Sequence, residues 1–269
     1  MSEAMQEKDA ADYDLERFVV TNKLILFGDS WAKGVWATQG NEITCIHPGM
    51  SEYLNNSGYT VSNMGRAGAS LWQILYGVFT YLNFNQSYIA HEDVKIIVFQ
   101  TDAARHQGAD AFQVDYNLIL RKSVDTQDFY KRILEIFYIK LNEIAEQFNV
   151  KIYVSGGITD LNLQLFTMNN FSSLHVLCES WIKLLYPEHA QSMIPLLINP
   201  DEVKYMLSLQ HTKIVDELIT ISDKNFPVFT SILETECFGR EFGHFHPNLL
   251  GHNIIGKHIK EFFDKENNA

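Results

Sequence analysis

Lys23-Leu24-Ile25-Leu26-Phe27-Gly28-Asp29-Ser30 is the stretch on which the reading of this chain turns. Four apolar residues in succession, bounded by polar turn formers, are the pattern of a short strand covered on both faces, as in the parallel sheet of an α/β protein. Ligands and reacting groups in such sheets gather beyond the carboxyl ends of the strands. Ser30 is therefore expected at that edge, with Gly28 allowing a sharp exit and the next residues turning into a helix whose first amides favour negative charge. Taken alone, the tripeptide also suits an ordinary strand-to-helix turn in which Asp29 or Ser30 serves as the N-cap.

A second segment, His244-Phe245-His246-Pro247-Asn248-Leu249-Leu250-Gly251-His252, adds the missing chemistry. Pro247 and Asn248 are expected to open a helix running on through Ile254, Ile255 and Ile259 to Phe263, because proline near a helix start has a suitable fixed backbone angle and no amide to waste. His246 then falls in the loop just before the helix. A serine hydroxyl is a poor nucleophile at neutral pH and needs such a base to accept its proton.

On these segments the chain resembles the SGNH hydrolases, the GDSL-type esterases and lipases, over about residues 22–264. The family's first block is matched by Gly28-Asp29-Ser30 and its second, Asn-x-Gly-x-x-Gly, by Asn63-Met64-Gly65-Arg66-Ala67-Gly68. Its last is matched by His246-Pro247-Asn248 followed by Gly251-His252. The resemblance implies a flavodoxin-like, three-layer α/β/α sandwich around a mostly parallel five-stranded sheet. It implies Ser30 as nucleophile, His246 as general base, and an oxyanion hole built from the amides of Ser30 and Gly68. No cofactor or metal is implied.

Two departures from the family pattern stand out. The third block normally reads Gly-x-Asn-Asp, the asparagine adding an oxyanion donor, whereas here the strand Val94–Phe99 leads into Gln100-Thr101-Asp102. Either the Thr101 hydroxyl or the Gln100 amide is then expected to donate. Three residues before His246 the family has aspartate, and this chain has Gly243. The acid is then Glu241 from further back, or a backbone carbonyl near Gly243 orients the ring instead. A rival register makes Glu241-Phe242-Gly243-His244 the acid–base unit with His244 as base. The Pro-Asn-x-x-Gly-His tail favours His246.

The rest of the pattern alternates strand and helix. Tyr59–Asn63 is expected as a second strand and the spacing of Leu71, Ile74, Leu75, Val78 and Phe79 as the helix after it. The clearest amphipathic helix spans about Thr126 to Phe148 and leads to a strand at Lys151–Ser155. A helix from about Val203 to Ile219 and a strand at Pro227–Ser231 complete the set. Parallel strands joined through helices give a layered sandwich by right-handed crossovers. Residues 1–17 read as a mobile tail and residues 18–264 as one domain, with insertions at about 103–125 and 158–200. Long connections at the active edge usually shape substrate access. Arg105, close after Asp102, is expected either to pair with that aspartate or to bind an anionic substrate group; Asp29 and Asp102 join it as polar substrate-side candidates.

Composition bounds the partners. A net charge of −12 over 269 residues speaks against nucleic acid or an anionic membrane, which call for a basic surface. The first residues are acidic and polar, unlike a secretory signal, no apolar run approaches a membrane span, and three cysteines without framework spacing suit a reducing compartment, so a cytoplasmic location is expected. The pair His244 and His246 with Asp29 lacks a further ligand to close a metal site. The function expected is hydrolysis of a small ester, such as an O-acetyl group on a carbohydrate, through an acyl-enzyme. The competing class is a non-catalytic binding or structural protein that keeps the fold.

Overall fold

The computed structural model describes residues 22–39, 42–89, 93–103, 105–157, 159–186, 216–217, 219–220, 237 and 246–268. The helix expected at 203–219 falls largely, and the strand at 227–231 entirely, outside the described residues, as do Glu241, His244 and the N-terminal tail.

Five strands form one parallel sheet: β1 (Lys23–Phe27), β4 (Thr60–Asn63), β5 (Val94–Phe99), β6 (Ile152–Ser155) and β7 (Leu174–Cys178), in the order β4-β1-β5-β6-β7. Counted within this sheet the order is 2-1-3-4-5, the doubly wound arrangement of flavodoxin-like proteins, whose ligand crevice lies beyond the carboxyl ends where the winding reverses, between the first and third strands. The end of β1 lies there. A separate antiparallel hairpin of β2 (Val35–Gln39) and β3 (Glu42–His47) rises directly after the first helix, and was not expected from the sequence.

Alternation along the strands sorts the core into two layers. Ile25, Phe27, Ile96, Val98, Ile152 and Val154 face one side, where they meet α3 (Leu71–Phe84), α5 (Tyr116–Lys122), α6 (Thr126–Gln147) and α7 (Leu163–Asn169). Leu24, Leu26, Ile97, Phe99 and Tyr153 face the other, packed on α1 (Ser30–Lys33), α2 (Met50–Asn56), α8 (Trp181–Leu185) and α9 (Leu249–Asn267). The short α4 (Gln86–Ile89) follows α3. Strands with both faces buried leave no polar side, which is why Leu24–Phe27 of β1 and Ile96–Phe99 of β5 read as continuous apolar runs.

The fifth strand corrects the sequence reading. Leu174–Cys178 lies within the stretch taken as an insertion at 158–200 and pairs with β6, so that α7 forms part of an ordinary crossover between neighbouring parallel strands. The insertion at 103–125 is pinned to the body through Tyr116, whose hydroxyl accepts from Trp72 Nε1 at 2.9 Å and lies 3.0 Å from the Ala103 carbonyl. No helix among the described residues is long and apolar enough to cross a membrane.

Candidate active site

β1 ends where the sequence required space. A Cβ at Gly28 would lie 2.5 Å from Ala32 Cβ and 3.0 Å from Phe99 Cβ, so only glycine lets the chain turn this tightly against β5. Asp29 then caps α1, its Oδ1 accepting from the Trp31 amide at 3.0 Å. This fixes Ser30 as the first residue of the helix, half-buried at the sheet's carboxyl edge.

His246 arrives from 216 positions away and places Nε2 2.7 Å from Ser30 Oγ. For Nε2 to accept the serine proton the neutral ring must carry its own proton on Nδ1. The loop is held by Asn248, which caps α9 by accepting from the Gly251 amide at 3.1 Å and donates its own amide to the Cys237 carbonyl at 2.8 Å. Of the two registers, His246 therefore makes the contact with Ser30; His244 and Glu241 lie outside the described residues.

Two indoles that sequence reasoning missed stand against the His246 ring. The Trp36 and His246 rings are 5.8 Å apart at 41°, and Trp31 and His246 are 6.4 Å apart at 47°. Trp36 also donates Nε1 to the Ser30 carbonyl at 2.7 Å, so the hairpin holds the backbone of Ser30 and flanks the His246 ring. Trp31 could have been suspected from its place beside Ser30; nothing local marks Trp36, because its role depends on the hairpin fold.

The second block forms a loop bonded to the Gly28 turn and to the end of α1. Asn63 donates Nδ2 to the Ala32 carbonyl at 2.9 Å and to Ser51 Oγ at 2.8 Å, while its Oδ1 accepts from the Gly65 amide at 2.9 Å. The Arg66 amide donates to the Gly28 carbonyl at 2.9 Å, joining this loop to the turn that leads into Ser30. Gly68 adopts φ +69°, a left-handed conformation that glycine takes without strain, and the space over it is open.

The third block differs from expectation. The Thr101 hydroxyl lies 2.6 Å from Asp29 Oδ2, and its single proton goes to that carboxylate. Gln100 is buried and turned away: Nε2 donates to Thr159 Oγ1 at 2.9 Å and to the Asp160 carbonyl at 3.1 Å, and Oε1 accepts from the Tyr138 hydroxyl. Neither side chain has a proton left for an oxyanion in this arrangement. Arg105 pairs with Asp29, not with Asp102, whose Oδ1 instead accepts from the Tyr130 hydroxyl at 3.3 Å.

Beside the site, a cavity of about 670 Å³ opens over the ends of β5, β6 and β7, with Gln100, Ala103, Tyr130, Asp160 and Lys183 in its wall. Lys183 bridges Asp160 at 2.9 Å and Glu179 at 2.5 Å there.

Ser30 and His246 thus meet at the end of the first strand of a 2-1-3-4-5 sheet, with the loop that carries Gly68 bonded to the Gly28 turn beside them. Among solved structures the chain is similar to the psychrotrophic esterase EstA from Pseudoalteromonas sp., in a form inhibited by monoethylphosphonate, with a TM-score of 0.40 and 11% identity over 92% of this chain and 100% of that one. It is also similar to TesA, at a TM-score of 0.33 and 11% identity over 79% of this chain and 100% of that one. A GDSL-like lipase from Parabacteroides merdae gives a TM-score of 0.35 and 10% identity over 90% and 95% of the two chains. No protein-family model matches the chain, and no curated protein matches it.

Proposed function

We propose that this chain is a serine esterase acting on a small ester. The observation that carries the reading is the 2.7 Å contact between His246 Nε2 and Ser30 Oγ at the carboxyl end of β1. Ser30 Oγ attacks the ester carbonyl as His246 Nε2 takes its proton, forming a tetrahedral oxyanion. The amides of Ser30 and Gly68 receive that charge. Collapse breaks the bond to the alcohol, which leaves with the proton from His246, and Ser30 keeps the acyl group. Water then attacks the acyl-enzyme with His246 as base, releasing the carboxylic acid and restoring Ser30. A short acyl group, such as acetyl on a carbohydrate hydroxyl, is the substrate class we favour.

The test is a fluorophosphonate probe together with p-nitrophenyl acetate. Labelling and turnover are expected in the unaltered protein, and Ser30→Ala is expected to abolish labelling and cut turnover by at least about a thousandfold, since nucleophile and base act as a unit. Absence of both signals in the unaltered, folded protein points to the non-catalytic binding class. Turnover that survives in folded Ser30→Ala overturns the covalent mechanism.

A further inference from the structure

We propose that Arg105 is a positioning residue for the oxyanion hole, its guanidinium tying the loop that carries Gly68 to the turn that carries Ser30. The catalytic consequence rests on the esterase reading above; the tie itself does not.

One nitrogen of Arg105 gathers three partners. Nη1 lies 3.1 Å from the Ala69 carbonyl, 3.1 Å from Thr101 Oγ1 and 3.4 Å from Asp29 Oδ2. Each partner adjoins or occupies an oxyanion position: Ala69 follows Gly68, Asp29 precedes Ser30, and Thr101 stands where the family has its donor asparagine. Two hydrogens on Nη1 cannot serve three acceptors equally. The two shorter contacts are the hydrogen bonds, and the Asp29 contact is chiefly charge attraction across a carboxylate side chain only 14% exposed.

The backbone around Arg105 is itself held, its amide donating to the Asp102 carbonyl at 3.4 Å and its carbonyl lying 3.2 Å from the Tyr116 hydroxyl, whose one proton it shares with the nearer Ala103 carbonyl at 3.0 Å. A held backbone and a planar cation make a rigid strut.

The loop has a corresponding need. Its first half is anchored by Asn63 to the Gly65 amide and by Gly28 to the Arg66 amide. Its second half contains Gly68, whose left-handed backbone has nothing packed over it. The side-chain tie at Ala69 comes from Arg105. Two amides help an oxyanion only when both aim at one oxygen, and a displacement of about 1 Å costs roughly a hundredfold in rate.

Arg105→Met removes the donors and the charge while keeping the length; Arg105→Lys returns the charge and some donors. Both are compared with the unaltered full chain by hydrogen exchange of the bonded amides of Gly65, Arg66, Ala69 and Ser70, and by kcat and KM on p-nitrophenyl acetate. With Arg105→Met, exchange at Ala69 and Ser70 is expected to quicken about tenfold or more and kcat to fall roughly 10- to 100-fold with KM within twofold, Arg105→Lys recovering part of each. Unchanged exchange in Arg105→Met overturns the tie, whatever the rates do. A raised KM at constant kcat assigns Arg105 to substrate binding and overturns its positioning role. Faster exchange in a chain whose Ser30 supports no hydrolysis would leave the strut standing and remove the esterase reading alone. Should Arg105→Met fail to fold, Arg105→Lys against Arg105→Gln decides by the same exchange measurement.

Discussion

The Thr101 hydroxyl donates to Asp29 Oδ2 across 2.6 Å, joining the end of β5 to the cap of the helix that begins at Ser30. Thr101 thus serves the residue that caps the helix of Ser30. Asp29 uses Oδ1 on the Trp31 amide and Oδ2 on Thr101 and Arg105, so its carboxylate is satisfied at each oxygen.

Thr101→Val is therefore expected to act through Asp29. A hydrogen bond to a charged group contributes about 1.5–3 kcal/mol, so the variant should lose that much stability in urea unfolding, with a moderate loss of turnover from a loosened turn. A stability unchanged within error, with turnover lost by a hundredfold, would return Thr101 to the oxyanion hole.

Trp36 is expected to matter for rate through its π face and its N–H. On the proposed mechanism His246 becomes an imidazolium, and an indole beside it contributes about 0.5–2 kcal/mol, equivalent to roughly 2- to 30-fold in kcat. Trp36→Phe keeps a ring but drops the bond to the Ser30 carbonyl; Trp36→Leu loses both. The order of kcat expected is Trp above Phe above Leu, measured under single-turnover conditions. Equal rates for Phe and Leu would limit the role of Trp36 to its hydrogen bond.

What sequence disclosed and what it hid divide along physical lines. β1, β5, α3, α6 and α9 follow from apolar periodicity, caps and turn formers, all local features, and Ser30 and His246 follow from their places at the ends of such elements. β7 escaped because Leu174-His175-Val176-Leu177-Cys178 is short, interrupted by a histidine and flanked by residues that suit a loop. The hairpin escaped because its value lies in bringing Trp36 onto His246. Thr101, Gln100 and Arg105 meet Asp29, Thr159 and Ala69, partners that the sequence reading does not name, since the choice among nearby acceptors is made by tertiary geometry that no spacing records.

Tyr138 and Gln100 supply a prediction on stability alone. The Tyr138 hydroxyl donates to Gln100 Oε1 in the core, where burial pushes the phenol far above its ordinary range and keeps it a neutral donor. Tyr138→Phe leaves that buried oxygen without its partner, at an expected cost of about 1–3 kcal/mol in chemical unfolding. Gln100→Leu in the same background should then recover little, because Thr159 and Asp160 lose their own bonds to the amide.

His252 makes stability depend on pH. It is fully buried beneath Gly49, where a Cβ would come within 2.7 Å of its ring, and it stands edge-on to Trp181 at 6.2 Å. Burial is the main cause that lowers its pKa to about 4; the Gly34 backbone opposes this, and His246 and His47 add smaller repulsions in the same direction as burial. The unfolded chain, with an ordinary histidine near 6.5, binds more protons than the folded one between pH 6.5 and 4. Stability from this group is therefore complete above about pH 6.5 and is lost as the pH falls toward 4, by roughly 3 kcal/mol in all and about 2 kcal/mol by pH 5. Urea midpoints at pH 7 and pH 5 for the unaltered protein and His252→Leu isolate this share from the carboxylates, which titrate alike in both. The expected result is a smaller drop between the two pH values in His252→Leu. Parallel drops in the two proteins would mean that the buried ring takes up its proton as readily folded as unfolded.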